Sequence, residues 1–140
     1  ALCKEYKIPQ DIIDIVEQHH GNSYASFFYA KAISLYGENN VNKDDYRYPG
    51  PKPQTKEAAI IMIADSCEAA VRSLSNHGNN KIDNMVHKII NQKLNDGQFD
   101  ECDISMKELM VVATVYIKIL SSMFHSRIEY PENIVETEAR

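Results

Sequence analysis

The sequence predicts an all-α fold, a helical bundle of about five helices. Apolar residues recur every three or four positions in five separate stretches. These stretches begin or end at residues that favour helix termini, including Gly21, Gly37, Thr55, Gly97 and Ser105. A chain of 140 residues that is 44% hydrophobic can bury one ordinary core. We therefore expect one domain over residues 1–131 and an acidic, disordered tail over 132–140.

The first two predicted helices lie on either side of a histidine pair. The first spans 9–20, where Pro9 suits a first turn and Gly21 a C-terminal stop. The second spans 24–36 and ends at Gly37, and its predicted apolar side consists of Phe27, Phe28, Ala32 and Leu35. The polar stretch 38–54 ends in a proline-rich segment, which predicts a loop without regular structure.

The remaining three helices have clear termini. Thr55 caps a helix that runs almost without a polar residue from 58 to 64 and continues to about residue 74, which predicts the most buried helix. The next helix follows a turn at 75–80 and stops at Gly97. The last begins at a capping box formed by Ser105 and Glu108 and runs to about Phe124.

Charge and composition exclude several kinds of protein. The net charge is −5 and no segment clusters Lys and Arg, which argues against nucleic-acid binding. No apolar run approaches the roughly 20 residues that span a bilayer. The three cysteines are widely spaced and form no CxxC motif, which favours a reducing cytoplasmic setting.

Three residues stand out as candidate metal ligands. His19 and His20 are adjacent at a predicted helix end, and Asp65 interrupts an apolar run, where a buried carboxylate would need compensation. Imidazole and carboxylate suit a transition metal that activates water for attack on phosphorus. Each also has an ordinary structural explanation. His19 could be a core histidine bonded to a backbone carbonyl, and His20 a partner of the helix dipole. Asp65 could cap another helix or accept hydrogen bonds from Ser66 or an Arg.

The proline-rich segment carries two candidate substrate-binding cations. Arg47 and Lys52 precede the helix that bears Asp65, so they could reach a phosphate at its N-terminus. A solvated loop stiffened by proline is the alternative. The acidic run at 96–103 lacks the ligand spacing of a calcium loop and is interpreted as a solvated connection.

Five stretches together carry a resemblance, at residues 17–21, 48–59, 64–66, 96–103 and 125–132. With them the chain resembles the cytoplasmic HD domain of the bacterial seven-transmembrane HD phosphohydrolases, of the type that hydrolyses cyclic di-AMP. The resemblance implies an HD-domain-like helical bundle, lacking the N-terminal helices of the full domain. It also implies a parent protein anchored in the membrane, with this domain on the cytoplasmic, inner face of the cell membrane.

The resemblance further implies a dinuclear centre, commonly of iron or manganese, that hydrolyses cyclic di-AMP or a related cyclic dinucleotide to the linear product, pApA for cyclic di-AMP. His19 and His20 match ligands of one metal and Asp65 a ligand of the other. The other ligands of the family, including its His-Asp pair, would lie upstream of this sequence. We therefore expect the isolated chain to be inactive, to hold little or no metal, and to be able to self-associate through exposed apolar surface. The alternative is a helical module that senses a nucleotide or a protein partner without catalysis.

Overall fold

The computed structural model describes residues 2–78 and 80–124. Within these ranges the chain forms α-helices and two 3₁₀ turns, without a β-strand. Helices α1 to α6 span Leu2–Glu5, Gln10–Gln18, Ser26–Tyr36, Lys56–Arg72, Lys81–Asn95 and Met106–Met123, and the 3₁₀ turns span Glu38–Asn40 and Lys43–Tyr46. The predicted all-α class is confirmed. The predicted domain end at residue 131 and the tail 132–140 lie outside the described residues.

The core lies between α4, α5 and α6, which pack against one another, while α2 packs on α4. Fully buried side chains of α4 form its centre, and α5 and α6 close it with apolar residues at helical spacing. The principal core residues are Met62, Ile63, Cys67, Val71, Ile82, Val86, Ile90, Leu109, Ala113 and Leu120. This arrangement confirms the prediction that α4 is the most buried helix, with six buried residues.

The predicted helix caps are confirmed. Thr55 Oγ1 accepts a hydrogen bond from the backbone N–H of Ala58 at 3.2 Å. Ser105 and Glu108 form the reciprocal capping box, with Glu108 Oε2 accepting from the Ser105 N–H at 2.7 Å. Glu108 Oε1 also lies 2.8 Å from Lys56 Nζ, so one carboxylate joins the beginnings of α4 and α6. The Lys56 ammonium is the main reason that the pKa of Glu108 falls to about 2.

The predicted apolar side of α3 is wrong. Phe27, Phe28 and Leu35 are each more than 60% exposed, and Ala32 is the one buried residue of the helix. The physical reason is that α3 packs on the two 3₁₀ turns and not on the three-helix core. Periodicity shows that a helix has an apolar side but not whether a partner covers it.

The stretch 38–54 is more regular than predicted, because it contains both 3₁₀ turns. It returns to the segment between α2 and α3: the N–H of Ala25 donates to the carbonyl of Tyr46 at 2.7 Å, and that of Tyr48 donates to the carbonyl of Ser23 at 2.8 Å. Further on, the N–H of Gln54 donates to Gln18 Oε1 at 2.9 Å. These bonds bring the histidine pair close to the start of α4. Among the described helices, none is both long enough and apolar enough to cross a membrane.

Candidate metal centre

The three predicted ligands converge in space. His19 caps the C-terminus of α2, His20 follows in the turn, and Asp65 lies in the middle of α4. One candidate ligand atom from each residue lies within 4.8 Å of the other two. His20 Nδ1 and Asp65 Oδ2 are 3.8 Å apart. Two residues from a turn and one from a helix 45 positions later therefore form a single cluster of nitrogen and oxygen donors.

His19 has the orientation of a metal-binding imidazole. Its Nδ1 lies 2.7 Å from the carbonyl oxygen of Val16. Because a carbonyl can only accept a hydrogen bond, Nδ1 carries a proton, and in the neutral ring the lone pair is therefore on Nε2. A hydrogen bond on the second ring nitrogen is the usual way in which a protein fixes the tautomer of a ligand histidine.

His20 is held between two rings. Its imidazole stacks on Tyr48, with ring centroids 4.4 Å apart and planes inclined by 15°, and lies 3.9 Å from the His19 ring. Burial and the neighbouring His19 lower the pKa of His20, and Asp65 opposes this shift only in part. The lowered pKa favours the neutral imidazole, which is the form that binds a metal ion.

Asp65 is not the buried carboxylate that the sequence suggested. Its side chain is 51% exposed, although its helix carries most of the core. Helix α4 turns Met62, Ile63 and Cys67 inward, and Asp65 lies on the side that borders a cleft. Water can therefore solvate this carboxylate, and its charge needs no buried partner.

The turn after the histidines is fixed from behind by Gln98, which is fully buried. Gln98 Oε1 accepts from the backbone N–H of Asn22 at 3.2 Å, and Nε2 donates to Asn22 Oδ1 at 2.8 Å and to Asp96 Oδ2 at 2.9 Å. Gly21 has a φ of +53° and lies so close to Gln98 that a Cβ there would collide with its amide oxygen. Only glycine fits this turn without strain.

Arg47 is occupied by other partners. Its guanidinium donates to both carboxylate oxygens of Asp96 at 3.2 and 3.3 Å, to Asp44 at 2.9 Å and to the carbonyl of Asn22 at 3.0 Å. Lys52 lies beside the turn at Gly97. Neither residue lines the cleft at Asp65. The structure thus places Arg47 behind the histidine turn, and the substrate-binding role of Arg47 and Lys52 stays a prediction.

The cluster opens into a cleft of about 570 Å³. Its walls come from the start of α3, from the outer side of α4 and from the end of α5. The α4 side presents small residues, and the α3 side presents two exposed phenylalanines that meet edge to face, 5.5 Å apart. The lining residues include His20, Tyr48, Asp65, Phe27, Phe28, Ser66, Ala69, Ala70, Ser73 and Lys93.

Comparison with known proteins identifies the family of this chain. The HD domain profile matches residues 1–70, which is half of the sequence. This chain belongs to the HD domain family. HD domains are metal-dependent, in agreement with the cluster of two histidines and one aspartate. Their helical fold agrees with the bundle described above.

Two curated relatives share the name cyclic-di-AMP phosphodiesterase PgpH. The protein from Bacillus subtilis is 51% identical over 131 residues, and that from Listeria monocytogenes is 46% identical over 132 residues. Each alignment covers 94% of this chain and 18% of the relative. This HD domain chain therefore spans about a fifth of the length of these relatives.

A solved HD domain has the same architecture. The crystal structure of the L. monocytogenes PgpH HD domain in complex with cyclic di-AMP superposes with a TM-score of 0.82 at 46% identity. The match covers 92% of this chain and 60% of the crystallised one. A second structure of the same HD domain superposes with a TM-score of 0.79.

Sequence reasoning missed three residues of this site. Tyr48 and Gln98 both lie in stretches that carry the resemblance, but no local pattern assigns them a role. Lys93 lies on α5, whose apolar and polar residues alternate as in any amphipathic helix, so its pattern does not single out this lysine. All three reach the site from positions at least 28 residues away from His20, so a local pattern cannot find them.

Proposed function

We propose that this chain is part of a metal-dependent phosphohydrolase that hydrolyses cyclic di-AMP to pApA. The observation that carries the proposal is the convergence of His19, His20 and Asp65 within 4.8 Å at the end of an open cleft. The relatives named cyclic-di-AMP phosphodiesterase PgpH and the fold shared with the cyclic di-AMP complex support the substrate. Cyclic di-AMP or a related cyclic dinucleotide is thus the proposed partner.

The donor set fits a transition metal. Two imidazole nitrogens and a carboxylate oxygen suit iron, manganese or zinc, and we propose iron or manganese, with two ions in the parent protein. A metal bound there supplies Lewis-acid activation of water for attack on phosphorus. His19 fits as a ligand because its proton is committed to the Val16 carbonyl. His20 fits because its lowered pKa favours the neutral ring.

Residues around the cluster orient a ligand and supply the proposed contacts to the substrate. Tyr48 fixes the plane of the His20 ring by stacking on it, which reduces the motion of one ligand relative to the others. The cleft is large enough for part of a dinucleotide and is open to solvent on the side of Phe27 and Phe28. Arg47 and Lys52 remain proposed substrate-binding residues, which would require Arg47 to exchange part of its bonding with Asp96 for a phosphate.

Three ligands are few for two metal ions. The resemblance implies further ligands, including a His-Asp pair, upstream of residue 1 in the parent protein. We therefore propose that the 140-residue chain alone binds metal weakly and does not hydrolyse the substrate. We also propose that residues 1–131 form part of an HD phosphohydrolase domain and that the parent protein holds this domain at the cytoplasmic face of the membrane.

The test compares the natural protein that carries this sequence with the 140-residue chain. Each is loaded with Mn²⁺, its metal content is measured by mass spectrometry, and pApA formation is followed by chromatography. In the natural protein, His20→Ala and Asp65→Ala should each lower metal content and activity by at least about 100-fold, since even partners of metal ligands cost 10- to 100-fold. His87→Ala, an exposed residue of α5, is the control and should change neither.

Stoichiometric metal and turnover by the 140-residue chain would overturn the proposed dependence on further ligands. Unchanged activity of His20→Ala would overturn the ligand assignment. The second candidate function is a non-catalytic module that binds a nucleotide or a partner protein, which the exposed Phe27 and Phe28 favour. Binding of cyclic di-AMP by the metal-loaded natural protein without any pApA formation would support that candidate.

A further inference from the structure

Lys93 is a cation without an assigned task beside the candidate metal centre. It lies near the end of α5, lines the same cleft as His20 and Asp65, and is half-buried. Burial lowers its pKa, and the carboxylates of Asp96 and Asp65 oppose this shift. A positive charge removed from water is costly unless an anion compensates it.

The hydrogen bonds of Lys93 leave most of its ammonium group free for another partner. Its Nζ donates to Ser23 Oγ at 2.9 Å, and Ser23 is buried. An ammonium has three N–H donors, so two remain beyond this bond. Within residues 2–78 and 80–124, no carboxylate lies within 4.0 Å of Lys93 Nζ.

The nearby carboxylates are engaged elsewhere. Asp96 accepts hydrogen bonds from Nη1 and Nη2 of Arg47 and from Nε2 of Gln98. Asp65 lies next to His20, in the cluster of ligand atoms. Lys93 therefore contributes an incompletely neutralised positive charge to the cleft wall near the place where the proposed function puts a phosphate.

We propose that Lys93 contacts a non-bridging oxygen of the phosphate that is bound at the His19–His20–Asp65 cluster. This inference rests on the proposed function, because it assigns a substrate contact at that same site. The ammonium donates hydrogen bonds and partly neutralises the phosphodiester, whose negative charge grows as water attacks. Ser23 keeps the ammonium in place. In this proposal Lys93 transfers no proton, so its part in the reaction is electrostatic.

The experiment uses the Mn²⁺-loaded natural protein and three variants. Lys93→Gln keeps a donor for Ser23 but removes the charge, Lys93→Arg keeps the charge, and Lys88→Gln changes an exposed lysine of the same helix. Lys93→Gln should lower kcat/KM for cyclic di-AMP by about 100-fold or more, as loss of a donor to a developing anion does in other enzymes. Lys93→Arg should retain at least about a tenth of the activity, and Lys88→Gln should stay within about twofold of the parent.

Metal content separates a substrate contact from a structural role. It should be equal in all four proteins if Lys93 touches the phosphate. A kcat/KM of Lys93→Gln within about threefold of the parent would overturn the proposal. So would a loss of metal that parallels the loss of activity, because Lys93 would then act by positioning the ligands.

A measurement on the unmodified protein covers the case in which a variant does not fold. Acetic anhydride labels lysines, and mass spectrometry gives the rate at each position with and without inorganic phosphate. Phosphate should slow labelling of Lys93 several-fold and leave Lys88 unchanged, and equal rates at Lys93 would overturn the proposal. Protection of Lys93 in a protein that does not cleave cyclic di-AMP would refute the proposed function and support the phosphate contact.

Discussion

Replacing Gln98 by Met should destabilise the fold and weaken the metal centre together. Methionine has nearly the same size, so no cavity forms, but the N–H and Oδ1 of Asn22 lose their partners. A buried polar group without a partner costs about 1–3 kcal/mol. Asn22 is half-buried and can recover some bonding with water, so we expect a loss of about 2–4 kcal/mol in the free energy of unfolding.

Urea unfolding of the 140-residue chain measures this loss, with Gln92→Met as the matched control. Gln92 is an exposed residue of α5, and its substitution should change stability by less than about 0.5 kcal/mol. Co²⁺ titration of the natural protein should show affinity for the Gln98→Met variant reduced by about 10- to 100-fold, since the histidine turn loses its support. A loss of less than about 1 kcal/mol would show that Gln98 does not fix the turn.

Three further predictions concern single positions. Gly21→Ala should lower the free energy of unfolding in urea by about 2–4 kcal/mol, because φ is +53° and an added Cβ has no room. Gly78→Ala is the control: no atom lies within 4 Å of its added Cβ, and it should lower stability by less than about 0.5 kcal/mol. Equal losses in the two variants would contradict the tight turn at Gly21. The pKa of Glu108 is lowered, so its contribution to stability is present above 4.5 and is lost as the pH falls towards about 2. The acid-induced drop in the urea midpoint should therefore shrink in Glu108→Gln, and in Lys56→Met it should be smaller and end at a higher pH; an unchanged acid profile in both variants would refute this. Burial raises the pKa of Cys67 to about 12, so in the native chain iodoacetamide should modify Cys3 and Cys102 before Cys67. Mass spectrometry measures the rate of labelling at each cysteine, and equally fast labelling of Cys67 would contradict its burial.

Local signals predicted the helices well. The Thr55 cap and the capping box at Ser105 each depend on residues at most three positions apart, so the sequence displays them directly. The apolar side of α3 was mispredicted because exposure depends on what packs against the helix. Phe27 carries the same apolar signal whether a neighbour covers it or not, and the structure leaves it 72% exposed.

The candidate site, too, was predictable only in part. The convergence of His19, His20 and Asp65 followed from the resemblance, and the structure brings their ligand atoms together. The roles of Gln98 and Lys93 depend on contacts across 76 and 70 positions of the chain, to Asn22 and Ser23 respectively. Such contacts leave no periodic pattern, so no single-sequence argument could have found them.

The hydrogen bonds that hold the histidine turn have a consequence for how this site can change. His19 is bonded to Val16 and the backbone of the turn to Gln98, and neither Val16 nor Gln98 lines the cleft. The small residues Ser66, Ala69 and Ser73 line the cleft without bonding to either histidine. Substitutions along this wall can therefore change the shape of the cleft without removing a hydrogen bond that holds the candidate ligands. Such a separation would let the cleft wall of this domain vary while the three candidate ligands keep their positions.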